Sequence, residues 1–238
     1  MLNFTKEHKT VFFGGDTIPY PGQDSNITDL LPAGYELIMC LPANGRDETR
    51  HALGIIGNMD INEAIELSKQ YEMYRQNYCG CEYACVVSNG TAALHLCAMA
   101  LDIKPGDKVI TTPITFVASA NGFRYCGAEI VFCDIDPKTF LMDLDKLETI
   151  LQQSPKGTYK AVVPVDFAGY PIDEERLHTL ATEYGFATVI DCCHAPGGWW
   201  TDSNGEKQMI GNCKYADMSV FSFHPVKHIA AGEGGAIT

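Results

Sequence analysis

Short apolar runs alternate with longer segments of helical apolar spacing through most of this chain, from Asp60 to its last residue. The short runs are continuous in Val, Ile and Cys, a pattern typical of strands that are buried on both faces. We predict strands at 83–88, 108–112, 129–135, 160–167, 187–192, 216–223 and 235–238. We predict helices at 91–101, 117–126, 143–153 and 173–184, and one more that begins at Asp60.

This alternation predicts the α/β class: a three-layer sandwich in which helices cover both faces of a mainly parallel sheet. Ligands in such sheets bind beyond the carboxyl ends of the strands, so the loops that follow the predicted strands form the candidate site. Residues 1–58 are rich in Gly, Pro and Asn, and we predict an irregular lead-in there, with its strongest apolar piece at 35–41. Residues 59–238 form the main domain, and we expect a further carboxyl-terminal part because the chain stops inside an apolar run.

The composition is that of an ordinary packed globular protein, with 46% hydrophobic and 20% charged residues. A formal net charge of −13, without a cluster of Lys and Arg, argues against a nucleic-acid partner. No apolar run reaches about 18 residues, which argues against a membrane span, and the N-terminus does not resemble a secretory signal. Ten cysteines without an export signal favour reduced thiols and a cytoplasmic location.

Cys79, Cys81 and Cys85 are the one group of cysteines that could bind a metal ion. Their spacing is not the paired C-x-x-C of a zinc site, and the adjacent Cys192 and Cys193 supply no second pair. We therefore expect no metal, and a thiol-bound metal protein stays a rival interpretation.

A turn followed by an apolar helix occurs at SNGTAA, residues 88–93. A helix N-terminus offers free N–H groups and the positive end of the helix dipole, so it can hold a phosphate. Gly90 would let the backbone approach that phosphate closely, and Thr91 adds a hydroxyl. The alternative is a capped helix after a tight turn, without a ligand.

The predicted strand at 187–192 carries Asp191 at its end, where a buried carboxylate is costly unless it is paired. Asp191 would either hold a cationic group or cap a turn. His194 follows in the same loop, and would either act beside that cation or be an ordinary histidine at the edge of the core. A metal site would need a third ligand, and the sequence shows none.

Lys227 follows the predicted strand 216–223 and precedes the glycine-rich stretch AAGEGG. A lysine removed from water has a lowered pKa and becomes a usable nucleophile. Alternatively, its side chain extends from the end of the strand into solvent. The glycines precede a strand and do not open a helix, so they do not fit the dinucleotide-binding fingerprint.

These three motifs together fit one cofactor, pyridoxal 5'-phosphate. This cofactor requires a lysine for the Schiff base, a carboxylate at the pyridine nitrogen and a cradle for the phosphate. Lys227, Asp191 and the turn at 90–91 supply these groups, each at the end of a predicted strand.

From about residue 60 to the end, the chain resembles the DegT–StrS family of nucleotide-sugar aminotransferases. The resemblance lies in five ordered blocks: SNGTAAL, GDKVITTPITFVASAN, PVDFAGYPID, VIDCCHAPGG and FSFHPVKHIAAGEGGAIT. It implies the large domain of a fold type I transferase that depends on pyridoxal phosphate, without the family's small carboxyl-terminal domain. It also implies a homodimer with its sites at the interface.

The resemblance implies roles for eight residues. Lys227 would form the aldimine with the cofactor and move the proton, Asp191 would keep the pyridine nitrogen protonated, and His194 would lie near the phenolic oxygen. Phe116 would stack on the ring. The phosphate would be held by Gly90, Thr91, Ala92 and Ser222.

The implied reaction moves an amino group from glutamate to a keto group of a nucleotide-linked sugar. Lys227 favours transamination, because dehydratase relatives of the family have a histidine at that position. Two alternatives are a fold type I lyase that acts on an amino acid, and a non-catalytic relic of the same scaffold that binds or regulates. We expect neither a membrane nor a nucleic acid among the partners.

Overall fold

The computed structural model describes residues 39–40, 79–231 and 233–238. The helix predicted from Asp60 and nearly all of the lead-in predicted at 1–58 lie outside these residues. Met39–Cys40 is the exception, because it forms a short strand inside the apolar piece predicted at 35–41. The boundary between lead-in and main domain stays a prediction.

The described part of the chain folds around one large sheet and a small hairpin. The strands are β1 Met39–Cys40, β2 Cys85–Val87, β3 Lys108–Thr111, β4 Glu129–Phe132, β5 Tyr159–Val163, β6 Ala187–Asp191, β7 Trp199–Thr201, β8 Lys207–Met209, β9 Met218–Ser222 and β10 Gly235–Ile237. Eight of these described strands form the sheet, in the order β1-β2-β10-β9-β6-β5-β3-β4. Its pairings are parallel, except that β10 runs antiparallel to both of its neighbours. β7 and β8 form the separate antiparallel hairpin.

Four α-helices occur within the described ranges: α1 Gly90–Ala100, α2 Ala118–Arg124, α3 Leu144–Gln152 and α4 Glu174–Tyr184. Asn89, Asp143 and Asp173 each cap a helix N-terminus by accepting backbone N–H groups. A short 3₁₀ turn at Phe167–Gly169 links β5 to α4. None of the described helices is long and apolar enough to cross a membrane.

The sheet has a hydrophobic core on each face, as a three-layer sandwich requires. Val109 of β3 belongs to the core that contains Leu94 of α1. The next residue, Ile110, belongs to the core that contains Leu147 of α3. Because successive strand residues serve opposite faces, both of these neighbouring positions are apolar. The predicted α/β class with a mainly parallel, doubly covered sheet is confirmed.

Two parts of the fold differ from the prediction. The strand predicted at 160–167 ends at Val163, because Pro164 has no backbone N–H for the ladder and Ala168 turns the chain with a left-handed φ of 55°. The hairpin of β7 and β8 is absent from the prediction, although the Asn-Gly at 204–205 between two short strands is a known hairpin signal. The first difference arises at a proline and a left-handed alanine, and the second at a polar turn between two short strands.

Candidate active site

A cavity of about 390 Å³ opens at the carboxyl ends of β2, β6 and β9, beside the N-terminus of α1. Its lining includes predicted site residues from four of the five sequence blocks: Gly90, Thr91, Phe116, Asp191, Ser222 and Lys227. This is the edge at which parallel sheets bind their ligands, and the volume is typical of a small-molecule site. Ala92 and His194, which are also predicted, are not part of the lining.

Asp191 ends β6 and is 4% exposed. The Ser119 hydroxyl donates to its Oδ2 at 2.7 Å, and the backbone N–H of Cys193 donates to its Oδ1 at 3.1 Å. Both donors are neutral, and Asp191 forms no ion pair with another described residue. A buried carboxylate is stabilised best by a cation, so this side chain suits a positively charged group of a ligand.

Lys227 lies in the loop after β9, in a tight turn that Pro225 favours. Its backbone N–H donates to the His224 carbonyl at 2.8 Å, which closes this turn. The half-buried side chain lines the cavity and forms no ion pair within the described ranges. The cavity therefore contains an ammonium group and the carboxylate of Asp191 that are not paired with each other.

The N-terminus of α1 closes one end of the cavity at Gly90. A Cβ atom built on Gly90 would lie 3.0 Å from Cβ of Ser222 and 3.1 Å from Sγ of Cys193. These contacts are tighter than side-chain atoms normally allow, so glycine brings the helix end close to the loop after β9.

The hydroxyl groups of Thr91 and Ser222 line the same end of the cavity. An anion bound there would be stabilised by the positive end of the helix dipole and by two hydroxyl groups. The backbone N–H of Ala92 has another partner, since it donates to Oδ1 of Asn89 at 2.8 Å. A ligand would have to compete with this cap for the Ala92 donor.

Two ring side chains flank the cavity. Phe116 is 70% exposed and offers a free face for stacking against a planar ligand. The His194 ring lies 5.9 Å from the ring of Phe167. Burial, and next the Lys227 ammonium, lower the pKa of His194, while the Asp191 carboxylate opposes that change. His194 therefore shares the electrostatic surroundings of the two charged groups without lining the cavity.

Two residues that contact Asp191 are absent from the sequence-based prediction. Ser119 lies in the helix predicted at 117–126, three positions after Phe116, and this spacing is the signal that could have found it. Cys193 lines the cavity, and burial followed by the nearby Asp191 carboxylate raises the pKa of its thiol well above the usual range. Such a thiol fills space and is a poor nucleophile.

Most of the other described cysteines are buried, and Cys85, Cys126 and Cys213 are partly exposed. Cys79 and Cys81 lie in a hydrophobic core, and burial raises the pKa of Cys79 to about 12. The nine described cysteines are all free of disulfides. Within the described part of the chain, no group of three His, Cys, Asp or Glu side chains could hold a metal ion.

A second, wider groove of about 1110 Å³ runs between α3, α4 and the hairpin. None of the predicted site residues lines it. Asp143 and Asp173 in this groove cap helices, and Asp202 is paired with Lys214 at 2.8 Å. Because these carboxylates already have partners, we place the candidate active site in the smaller cavity.

Comparison with known proteins identifies the family. The sequence pattern described as the DegT/DnrJ/EryC1/StrS aminotransferase family matches residues 46–238. GDP-perosamine synthase of Caulobacter vibrioides is 38% identical over 199 residues, which cover 83% of this chain and 50% of that protein. The spore coat polysaccharide biosynthesis protein SpsC of Bacillus subtilis is 37% identical over 199 residues, which cover 79% and 48%. The chain thus spans about half the length of the curated relatives it matches.

Solved structures give the same picture of the fold. NtdA of Bacillus subtilis, crystallised with the bound cofactor PMP, is 29% identical and superimposes with a TM-score of 0.61 over 71% of this chain and 36% of that one. The fold type I architecture implied by the sequence blocks is thereby confirmed.

Proposed function

The chain belongs to the DegT/DnrJ/EryC1/StrS aminotransferase family, and on this premise we propose that the intact protein transfers an amino group from glutamate to a keto group of a nucleotide-linked sugar. The observation that carries the proposal is the cavity in which Lys227 and the buried, unpaired Asp191 lie beside the N-terminus of α1. The relative named GDP-perosamine synthase supports a nucleotide sugar as the acceptor.

The donor set of the cavity fits pyridoxal 5'-phosphate. The uncompensated carboxylate of Asp191 suits a protonated pyridine nitrogen. The helix end at Gly90, with the hydroxyls of Thr91 and Ser222, suits the phosphate. Lys227 offers the amine for covalent attachment. The bound PMP of NtdA, the aminated form of this cofactor, supports the same choice.

When bound, pyridoxal phosphate supplies an electron sink through which an amino group leaves the donor and reaches the acceptor. The net exchange turns C–NH₂ into C=O on glutamate and C=O into C–NH₂ on the sugar, so no separate oxidant or reductant is needed. Asp191 keeps the proton on the ring nitrogen, and Ser119 and the Cys193 N–H fix the orientation of its carboxylate.

Lys227 and His194 carry the proton chemistry of the chain itself. The Lys227 amine takes a proton from the donor carbon and returns it at the reacting position, as a positioned general base and acid. The pKa of His194 is lowered, by burial first, which favours a neutral imidazole. Beside the cavity, this imidazole would donate one hydrogen bond to the phenolic oxygen of the cofactor. Phe116, whose side chain is exposed at the cavity, would stack on the ring and keep water from its face.

We also propose that the protein works as a homodimer in the cytoplasm. Phe116, Val117 and Val226 are exposed apolar side chains at or beside the cavity lining, which suits a partner surface. Two-fold dimers are the commonest oligomers. The unpaired state of the nine described cysteines supports a reducing compartment.

The cofactor assignment is tested with the 238-residue chain, pyridoxal phosphate and borohydride reduction. We expect a covalent adduct on the peptide that contains Lys227, located by mass spectrometry, and its loss in Lys227→Ala. Lys160→Ala removes an exposed lysine outside the cavity and should keep the adduct. A folded protein without an adduct on Lys227 would contradict the assignment.

The reaction is tested in two further steps. Glutamate added to the loaded protein should yield one 2-oxoglutarate per cofactor, and GDP- or UDP-linked keto sugars should then gain an amino group that mass spectrometry detects. Ammonia released without an acceptor would identify a lyase instead. An adduct with neither reaction would identify a binding relic of the scaffold.

A further inference from the structure

The Asp166 carboxyl lies outside the cavity and takes no part in the chemistry proposed above. It is 0% exposed. Its Oδ1 accepts the backbone N–H of Ile172 at 3.0 Å, and its Oδ2 accepts the Cys192 thiol at 3.5 Å. Cys192 directly follows Asp191 and lies two residues before His194. The Asp166 side chain therefore joins Ile172, at the far end of the turn between β5 and α4, to Cys192, in the segment that carries Asp191 and His194.

The turn that Asp166 joins is strained. Ala168 has φ 55° and ψ 22°, a left-handed conformation that costs a residue with a Cβ about 1–2 kcal/mol. The Asp166 backbone also holds the turn, because its N–H donates to the Asp191 carbonyl at 3.0 Å and its carbonyl accepts from Gly169 at 3.2 Å. Strained backbone persists only where its surroundings fix it, so these contacts are what keep the turn in place.

The turn packs against His194 in two ways. It carries Phe167, whose ring lies 5.9 Å from the imidazole at an interplanar angle of 52°. It also carries Gly169, where a Cβ atom would lie 3.3 Å from the His194 carbonyl oxygen. The location of His194 therefore depends on the location of this turn.

We propose that Asp166 is a positioning residue for His194, which it places by tying Ile172 at the end of the turn to Cys192 at the end of β6. The inference rests on the proposed function for the role of His194 beside the cofactor. The positioning itself is a property of the chain without any ligand.

The charged groups around Asp166 are Asp191 and Glu174, the first residue of α4. Burial raises the pKa of Asp166 to about 7, and Asp191 adds to the rise while the Ile172 N–H opposes it. Burial, followed by Asp166, raises the pKa of Glu174 to about 8. Two buried carboxyl groups so placed do not ionise together at low cost, so near neutral pH the pair retains a proton. Whether the Asp166 carboxyl is protonated or ionised, its Oδ1 can accept the Ile172 N–H.

The test is an NMR titration of the His194 imidazole in the cofactor-free 238-residue chain, assigned by the signal that His194→Asn lacks. His194 is already exposed outside its contacts with the turn. In Asp166→Ala the turn is released and the part of the imidazole that it covers gains water, so the lowered pKa of His194 should rise towards the usual histidine value. Asp166→Asn keeps an oxygen for the Ile172 N–H and should retain the lowered pKa. Glu174→Gln removes a neighbouring carboxyl without touching the turn and should also retain it.

Loss of the negative charge of Asp166 would by itself lower the His194 pKa, because removing a negative group disfavours the imidazolium. A folded Asp166→Ala protein whose His194 pKa is unchanged or lower would overturn the proposal. If this variant does not fold, Cys192→Ala cuts the other end of the tie, and we expect a smaller rise in the His194 pKa. An unchanged His194 pKa in Cys192→Ala would likewise overturn the proposal. Absence of an adduct on Lys227 would leave these results untouched, so the two proposals fail separately.

Discussion

Asp191 in the cavity and Asp202 in the hairpin corner, residues 199–215, are equally buried and are held in opposite ways. Their exposed fractions are 4% and 5%. Asp202 accepts from the Lys214 ammonium at 2.8 Å. Further donors complete its shell: Gln208, Tyr215 and the backbone N–H groups of Asn204 and Glu206. Asp191 has two neutral donors and, among the described residues, no cation.

The difference separates a structural charge from a functional one. The Lys214 ammonium, foremost through its hydrogen bond, holds the pKa of Asp202 well below its usual range. The hairpin corner thus matches its buried charge within the chain, and its charges serve stability. Asp191 has no such ion pair among the described residues, and under the proposed function the cofactor supplies the matching charge.

The glycines of the two regions repeat the contrast. Gly205 in the hairpin corner has a left-handed φ of 81°, and no atom lies within 4 Å of the position that a Cβ would take there. Gly90 in the cavity has no unusual φ, but Ser222 and Cys193 lie within 3.1 Å of the position that its Cβ would take. The first glycine is required by backbone conformation, and the second by close approach.

The largest expected effect comes from the same substitution at the two aspartates. Asp191→Asn removes the charge that matches the pyridine nitrogen, so we expect the rate of 2-oxoglutarate formation from glutamate to fall roughly 10²–10³-fold. Asp202→Asn should leave that rate unchanged and lower the melting temperature, because Lys214 loses its buried partner. Single-turnover rates and thermal melts of both variants measure the two effects.

The contrast between Asp191 and Asp202 would be wrong if each asparagine variant showed the effect expected of the other. A fall in the rate for Asp202→Asn at an intact fold would mean that the hairpin corner reaches the reaction. An unaffected rate for Asp191→Asn would mean that another group holds the ring proton.

A smaller effect is expected from alanine at the two glycines. Gly90→Ala forces its Cβ against Ser222, and overpacking of this kind costs about 1–3 kcal/mol, which corresponds to roughly 5–150-fold weaker binding of pyridoxal phosphate. Gly205→Ala incurs only the left-handed backbone cost of about 1–2 kcal/mol in stability. Cofactor titration and urea unfolding distinguish the two. Equal cofactor affinity in both variants would refute the close approach at α1.

Next in size is the removal of one hydroxyl from each region. Ser119→Ala removes a hydrogen bond to the buried carboxylate of Asp191, worth about 1.5–3 kcal/mol, so we expect a roughly tenfold slower reaction with glutamate. Ser203→Ala removes an exposed hydrogen bond to Glu175 at 2.8 Å and should change neither rate nor stability by more than about 0.5 kcal/mol. A Ser119→Ala rate equal to that of Ser203→Ala would show that Asp191 needs no orienting hydroxyl.

The strands of the central sheet could be predicted because their apolar pattern is local. The strand predicted at 187–192 is observed at Ala187–Asp191, and the one predicted at 216–223 at Met218–Ser222. The antiparallel placement of β10 between β2 and β9 could not be predicted, since it depends on pairings such as Gly235 with Val87 and Ser222. No pattern within a single strand encodes its neighbours.

The candidate site follows the same rule. Asp191 stands out in the sequence because it is a charged residue at the end of an apolar strand, and Lys227 because it is a charged residue in the loop that follows one. The bond from Ser119 to Asp191 joins residues 72 positions apart. Asp166 likewise bonds to Cys192, 26 positions away. Such pairs arise from the folded sheet, so the charged centre is predictable from sequence, whereas the groups that orient it are not.

Glu174 lies between the two regions and gives the smallest expected effect on the reaction. It is buried beside Asp166 on the cavity side and beside Trp200 of β7 on the hairpin side. The Trp200 indole opposes the rise in the Glu174 pKa, yet its N–H has no acceptor at hydrogen-bonding geometry among the described residues. The contact between the Trp200 indole and the Glu174 carboxyl is therefore electrostatic. Burial dominates, and the pKa rises from 4.5 to about 8.

The raised pKa of Glu174 fixes the sign of a stability change with pH. The folded state retains a proton that the unfolded chain releases, so this stabilisation is full below pH 4.5 and is lost as the pH rises through about 8. Asp202 acts oppositely, because its lowered pKa makes stability fall as the pH drops below 3.8. The measurement is the midpoint of urea unfolding as a function of pH. Glu174→Gln should flatten this curve at alkaline pH, and Asp202→Asn should flatten it at acid pH. Glu174→Gln should also leave the rate of the reaction with glutamate unchanged. If the urea midpoints of Glu174→Gln and the parent protein changed with pH in parallel, Glu174 would already be ionised in the folded protein. The boundary between the two regions would then contain a buried charge.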